Sequence, residues 1–310
     1  MDWGGVAVNG IPPLKNPKHS VAADATYLQD DNVVFGVYSG GVARAYPKRI
    51  LAWHEMALDR VGDLDLTLVY CTLCGTVIPF NSRIRDATYT FGTSGLLYMS
   101  NKLMFDAETH SLWSSLEGTP VIGPLVGSGL HLSLLPVVTT SWGEWRREHP
   151  ETTVLSLDTG YTRDYSEGAA YRGYFSTDAL MFQVAKLDGR LRNKDEVLVL
   201  RSAANNVKPL AIAALFLREH RVYETNFADR PLVIVTTAAG ANRVYESGSH
   251  RFTRGADDNH VVDADGHVWV VEEDQLRDVN QPAVRLPRVP AHRAFWFGWF
   301  AQHPDTRVIK

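Results

Sequence analysis

Cys71 and Cys74 are the only cysteines in the chain, and they stand three residues apart in the stretch YCTLCGTVIPF, Tyr70 to Phe80. A Cys-x-x-Cys pair supports three chemistries: a dithiol that exchanges with other thiols, a metal knuckle, or a local disulfide. The thioredoxin kind of dithiol needs a helix beginning at the first cysteine, so that the helix dipole stabilises the thiolate. Here Gly75 is followed by the β-branched Thr76, Val77 and Ile78 and then by Pro79, which predicts a turn and a strand. Glycine after the second cysteine can take positive φ and let amide hydrogens point at two thiolates, which favours the knuckle. A single knuckle cannot complete a tetrahedral site, so its remaining ligands must be His, Met, Asp, Glu or water. His54, in Trp53-His54-Glu55, is the leading third ligand, and Met104 and His110 follow on later strands.

The expected centre is therefore one metal ion held by Cys71, Cys74 and His54, with Met104 in reach and a position open to oxygen or substrate. Thiolate, imidazole and the nearby thioethers of Met99 and Met104 favour copper by softness, with zinc or iron as alternatives. Copper points to an oxidoreductase acting on a small molecule, and zinc to a hydrolase or lyase working through an acidified water. Glu55 and Asp106 are the expected catalytic carboxylates, as general base or as orienter of a ligand. Trp53, Tyr98 and Trp113 are expected to line a substrate pocket. Two other classes remain open: a metal carrier or sensor without turnover, and a redox dithiol that carries no metal. Neither a dinucleotide loop nor a nucleophile elbow is present, since Gly36, Gly40 and Gly41 lie in a hairpin pattern and Gly92-Thr93-Ser94-Gly95 lacks the Gly-x-Ser-x-Gly spacing.

The elements that must position these residues read as mostly strand. Val33 to Tyr38 and Val42 to Tyr46 flank Ser39-Gly40-Gly41 and predict a hairpin. Pro47 opens a helix on which Ile50, Leu51, His54 and Leu58 recur at helical spacing. Strands are expected over Leu64 to Tyr70, Thr76 to Phe80, Ala87 to Phe91 and Lys102 to Phe105. Ser141 caps a helix bearing Trp142 and Trp145, with Glu144 completing a capping box and Pro150 ending it.

The pattern occurs twice. Ser141 to Val154 (SWGEWRREHPETTV) and Phe295 to Val308 (FWFGWFAQHPDTRV) share Trp-x-x-Trp, His-Pro, an acid and a threonine at identical spacing. Val33 to Val37 corresponds to Val197 to Leu200, Leu68-Val69-Tyr70 to Val233-Ile234-Val235, and Asp106 to Trp113 to Asp263 to Trp269. The expected organisation is a first half, 1–160, a connector, 161–192, and a second half, 193–310, the halves being pseudo-symmetric and β-rich in an α+β fold. Thr236 then stands opposite Cys71, Ala239 opposite Cys74 and Gly240 opposite Gly75, so the second half keeps the turn without its sulfurs. His149 and His303 occur in both copies, which suggests a structural role.

On these residues the sequence resembles a bacterial and archaeal family known only as domain of unknown function 3179. The resemblance is carried by Gly-Ile-Pro-Pro-Leu (10–14), Ala-Arg-Ala-Tyr-Pro (43–47), Trp53-His54-Glu55, Tyr70 to Thr76, Phe91 to Tyr98 and the Asp106, Thr109, Ser111, Trp113 series. It runs over nearly the whole chain and implies no activity. Thr72 stands where the family usually has proline, and Glu55 to Asp59 replaces an Ile-Val-Asn-Asp run, which suggests a specialised, biosynthetic branch.

Composition bounds the rest. With 310 residues, 45% hydrophobic and 21% charged, the chain is of globular type. A net charge of −4 with both signs interspersed gives no field for nucleic acid or an anionic membrane, so a small-molecule substrate is the expected partner. No apolar run approaches the roughly 18 residues of a membrane span, and residues 1–11 lack a secretory pattern, so a cytoplasmic location is expected although related sequences often look exported.

Overall fold

The computed structural model describes residues 2–3, 6–202 and 206–310. β-branched and aromatic runs separated by small-residue turns give a strand-dominated α+β fold whose helices are all short. The first half contains β1 (Val33–Ser39), β2 (Val42–Pro47), α1 (Lys48–His54), β3 (Met56–Val61), β4 (Leu64–Cys71), β5 (Thr76–Asn81), β6 (Phe91–Tyr98), β7 (Asn101–Asp106), β8 (Leu112–Ser114), β9 (Pro120–Ile122), β10 (Val138–Ser141), α2 (Trp142–Glu148) and β11 (Thr153–Leu155). The expected helix ends at His54, because Glu55 turns into the left-handed region (φ 56°) with its N–H on the Leu51 carbonyl at 2.7 Å. Leu58 consequently lies on a strand that helical spacing had concealed. The strand expected over Ala87 to Phe91 is only a two-residue piece, Ala87–Thr88, ahead of β6.

After a connector that includes α3 (Arg172–Phe175) come β12 (Glu196–Leu200), β13 (Leu210–Ala213), α4 (Ala214–Glu219), β14 (Val222–Phe227), β15 (Arg230–Thr236), β16 (Asn242–Glu246), β17 (Phe252–Arg254), β18 (His260–Asp263), β19 (Val268–Val271), β20 (Gln275–Asp278), β21 (His292–Phe295), α5 (Trp296–Gln302) and β22 (Arg307–Ile309). Strand order repeats: β10-β1-β2-β11 matches β21-β12-β13-β22, β3-β4-β5 matches β14-β15-β16, and β6-β7-β8-β9 matches β17-β18-β19-β20. In both copies the strand after the Trp-x-x-Trp helix returns parallel to its neighbour, β11 on β2 and β22 on β13.

The repeated motif makes repeated bonds. Trp145 and Trp299 each donate their indole N–H to the threonine seven residues on, Thr152 and Thr306, at 2.8 Å. The histidines reach across to the other copy: His149 Nε2 lies 3.4 Å from Glu273, and His303 Nε2 lies 2.9 Å from Glu117, each glutamate standing four residues past the corresponding tryptophan. One apolar cluster spans both copies, joining Phe80, Phe91, Met104 and Trp113 to Val199, Trp296 and Trp299. Each large side chain buried in that seam contributes roughly 1.5–3 kcal/mol. Among the described residues no helix is long and apolar enough to cross a membrane.

Candidate functional site

Cys71 ends β4 and pairs with Thr76 across a tight turn, in which Cys74 N–H donates to the Cys71 carbonyl at 3.1 Å. The turn brings the two Cα atoms to 5.3 Å, and the two sulfurs form a disulfide. Three distant segments hold its tip. Tyr174 of α3 donates its hydroxyl to the Leu73 carbonyl at 2.7 Å, and Phe295 N–H donates to the Cys74 carbonyl at 2.8 Å. Gly75 sits at φ 60°, and a Cβ there would meet the Phe295 ring at 2.7 Å. Gly298 of α5 lies beneath the disulfide, its Cβ position 3.1 Å from that of Cys74, and Asn101 fixes it by donating to its carbonyl at 2.7 Å.

The sulfurs are not equivalent. Cys71 is 6% exposed and lines a cleft of about 90 Å³, whereas Cys74 is fully buried with Sγ 2.9 Å from the Ser100 carbonyl oxygen. On reduction that carbonyl is placed to accept the Cys74 S–H. Glu55 and Lys102 share the cleft with Cys71 as a buried ion pair, and Ile11, Leu73 and Leu97 supply apolar wall. Removing two charges from water carries a large desolvation cost, and Glu55 additionally occupies a backbone region that glycine ordinarily fills at a helix C-terminus. Such strain is characteristic of positions held for function. Tyr171 also faces the cleft; burial and then the Glu55 carboxylate push its pKa up to about 12, so its hydroxyl keeps its proton and can donate. A larger cavity, about 790 Å³ among residues 9–18 and 158–161, is lined by neither cysteine.

A family model described as "Protein of unknown function (DUF3179)" matches residues 8–306. The chain belongs to that family. No curated protein and no solved structure matches it.

Of the residues expected at the site, Cys71, Cys74 and Glu55 come together in this DUF3179 protein; the others serve elsewhere. His54 is fully buried and both ring nitrogens are engaged, Nδ1 with the Pro12 carbonyl at 2.8 Å and Nε2 with the Tyr165 hydroxyl at 2.5 Å. Burial pulls its pKa down, so it is a neutral, hydrogen-bonded core imidazole and not a third ligand. Met104 packs in the seam cluster. Asp106 is a turn brace, accepting from Thr109 N–H at 2.5 Å, Thr109 Oγ1 at 2.9 Å and Trp113 Nε1 at 2.8 Å. Its counterpart Asp263 braces Trp269 in the same way at 3.0 Å, which marks the role as architectural. Trp113 is accordingly core, not pocket wall. Trp53 donates to the Asp164 carbonyl at 2.7 Å beside a different cavity, and Tyr98 presents its carbonyl to Gln302 at 3.1 Å. Among the described residues the one trio of ligand-type side chains with donor atoms within 4.8 Å of one another is Glu148, His149 and Glu273, and the guanidiniums of Arg243 and Arg288 already occupy those carboxylates. Lys102 went unread, although it is the single charged residue between Asp86 and Asp106 and so stands out in an apolar stretch.

Proposed function

We propose that the protein is a thiol–disulfide oxidoreductase whose working group is the Cys71–Cys74 pair. The observation that carries this is the placement of a bonded cysteine pair with one sulfur at an apolar cleft and the other sealed beneath it, next to a buried ammonium–carboxylate pair. A substrate thiolate attacks Cys71 Sγ; the S–S bond breaks and its electron pair leaves on Cys74 Sγ, which takes up a proton and keeps it in an S–H hydrogen bond to the Ser100 carbonyl oxygen. The second thiolate of the same dithiol attacks the substrate sulfur of the mixed disulfide, and the Cys71 Sγ it releases is protonated by way of Lys102. In sum a dithiol becomes a disulfide and the cysteine pair gains two electrons and two protons; exchange with another disulfide runs the same steps in reverse and restores it. The small cleft suits the thiol end of a small molecule with an apolar body.

The test uses glutathione redox buffers with the purified full-length chain. Expected are a reversible gain of two free thiols on reduction and a glutathione adduct that accumulates on Cys71 in Cys74→Ser, with none on Cys74 in Cys71→Ser. Near-stoichiometric copper, zinc or iron on the reduced protein, lost in the double Cys→Ser variant, would overturn the reading in favour of a metal centre. So would adduct formation that ignores which cysteine remains.

A further inference from the structure

A second pocket lies behind the cysteine turn. Successive side chains of a strand point to opposite faces, so Tyr70 turns away from the cleft that Cys71 lines. Tyr70 and Gly75 line a cavity of about 260 Å³ together with Ala239, so the turns of both copies border it. Phe35 and Phe295 form apolar walls, and Lys48, Arg218 and Arg293 bring three cations to it. Of its acids, Glu196 is paired with Arg293 at 2.9 Å, and Asp31 is exposed and accepts from the Asn32 amide at 3.2 Å. Arg293 is further used by Asn242 Oδ1 at 3.0 Å and by the Gly240 carbonyl.

Two cations and one hydroxyl are left over. Among the described residues Lys48 makes no hydrogen bond or direct ion pair; it feels the carboxylates of Glu196 and Glu167 at longer range and rests with Nζ 4.3 Å from the centre of the Phe175 ring. Arg218, an exposed residue at the mouth of the cavity, likewise has no hydrogen bond or ion pair and lies across Gly240, its Nε 2.8 Å from where a Cβ would stand. The Tyr70 side chain is almost wholly buried and lines the cavity, and among the described residues its hydroxyl makes no hydrogen bond. A tyrosine hydroxyl and two cations without a direct hydrogen-bonded counter-ion, set between two aromatic walls, are a suitable lining for a small anion with an apolar body.

We propose that this pocket binds a small organic anion, with a carboxylate set between Lys48 and Arg218, accepting the Tyr70 O–H, and an apolar body against Phe35 and Phe295. The proposal stands apart from the disulfide chemistry and survives its failure. Benzoate is the probe, titrated into the full-length protein by calorimetry beside benzyl alcohol and inorganic phosphate. Expected are saturable one-to-one benzoate binding, at least tenfold weaker in Lys48→Met and in Arg218→Gln with melting temperatures unchanged, weaker in Tyr70→Phe, and retained in the double Cys→Ser variant. Absence of saturable benzoate binding overturns the proposal, as does binding that benzyl alcohol matches or that persists undiminished in Lys48→Met/Arg218→Gln. Phosphate binding in place of benzoate overturns it too, because the apolar walls would then have no part in recognition.

Discussion

Lys102 is a charge held in the interior at a cost to the fold. Its ammonium is paired with Glu55 while almost completely buried, so removing one partner strands the other charge in the interior. Lys102→Met alone should therefore destabilise the protein by about 3–5 kcal/mol in urea unfolding. The double variant Glu55→Gln/Lys102→Met should stay folded and slow the exchange of Cys71–Cys74 with glutathione about a hundredfold, the low end of general acid–base assistance; an unchanged rate in stopped-flow would remove the pair from the chemistry. His292 makes a separate, pH-dependent contribution. Burial, and then the nearby Arg201 charge, draw its pKa down to about 3 against an ordinary 6.5. Between those values the unfolded chain holds the extra proton, so stability falls as pH falls across that window, by at most about 1.4 kcal/mol per pH unit. His292→Phe should reduce the slope of unfolding free energy between pH 4 and 6 by about one proton. At this scale the sequence singled out the cysteine pair and Glu55, whose types and spacing are local, and the structure brings them to one cleft. It misassigned His54 because the group that takes its Nε2, Tyr165, lies 111 residues downstream, where no spacing rule reaches.

Among the elements, the hairpin joining β6 to β7 does most to define the centre. Tyr98 pairs with Asn101, and the two residues between, Met99 and Ser100, both have positive φ, 46° and 67°, as a two-residue loop of matching twist requires. Glycine and asparagine are the usual occupants, so this loop carries strain, and it is the loop that sets the Ser100 carbonyl against Cys74. Ser100→Gly should raise stability by about 1 kcal/mol, seen as a higher melting temperature, and leave the exchange rate intact because the contact is through the backbone. The first hairpin was legible because Ser39-Gly40-Gly41 supplies the residues its turn needs. The end of α1 was not, because Glu55 occupies a glycine position. The capping box at Ser141 was half right: Ser141 accepts from Glu144 N–H at 3.3 Å, but the Glu144 carboxylate accepts instead from Thr140 at 2.8 Å and from Thr237 of the other copy at 3.0 Å.

Over the whole molecule the two copies interlock through charge as well as apolar packing. Arg243 bridges Glu148 and Glu273 at 2.6 Å each, and Arg288 adds a contact to Glu273 at 3.2 Å, all nearly solvent-free. Burial alone would raise the Glu273 pKa, and Arg243, His149 and Arg288 overcome it, holding the carboxylate well below its usual range. Glu273→Gln should cost about 3 kcal/mol in urea unfolding, since two guanidiniums lose their buried counter-charge. Duplication was legible from the Trp-x-x-Trp and His-Pro repeats. How the copies exchange partners was not, since it depends on which helix each turn packs against. The cysteine turn rests on α5 at Gly298, and the sulfur-free turn on α2 at Glu144, the residue at the same place in its own copy. The disulfide is consequently not a portable pentapeptide. Transplanting Cys-Thr-Leu-Cys-Gly onto positions 236–240 would put its second sulfur at the exposed Ala239, without the helix glycine and the loop carbonyl that enclose Cys74. A second centre would need its own enclosing helix face and loop, which ties the evolution of the motif to positions outside it.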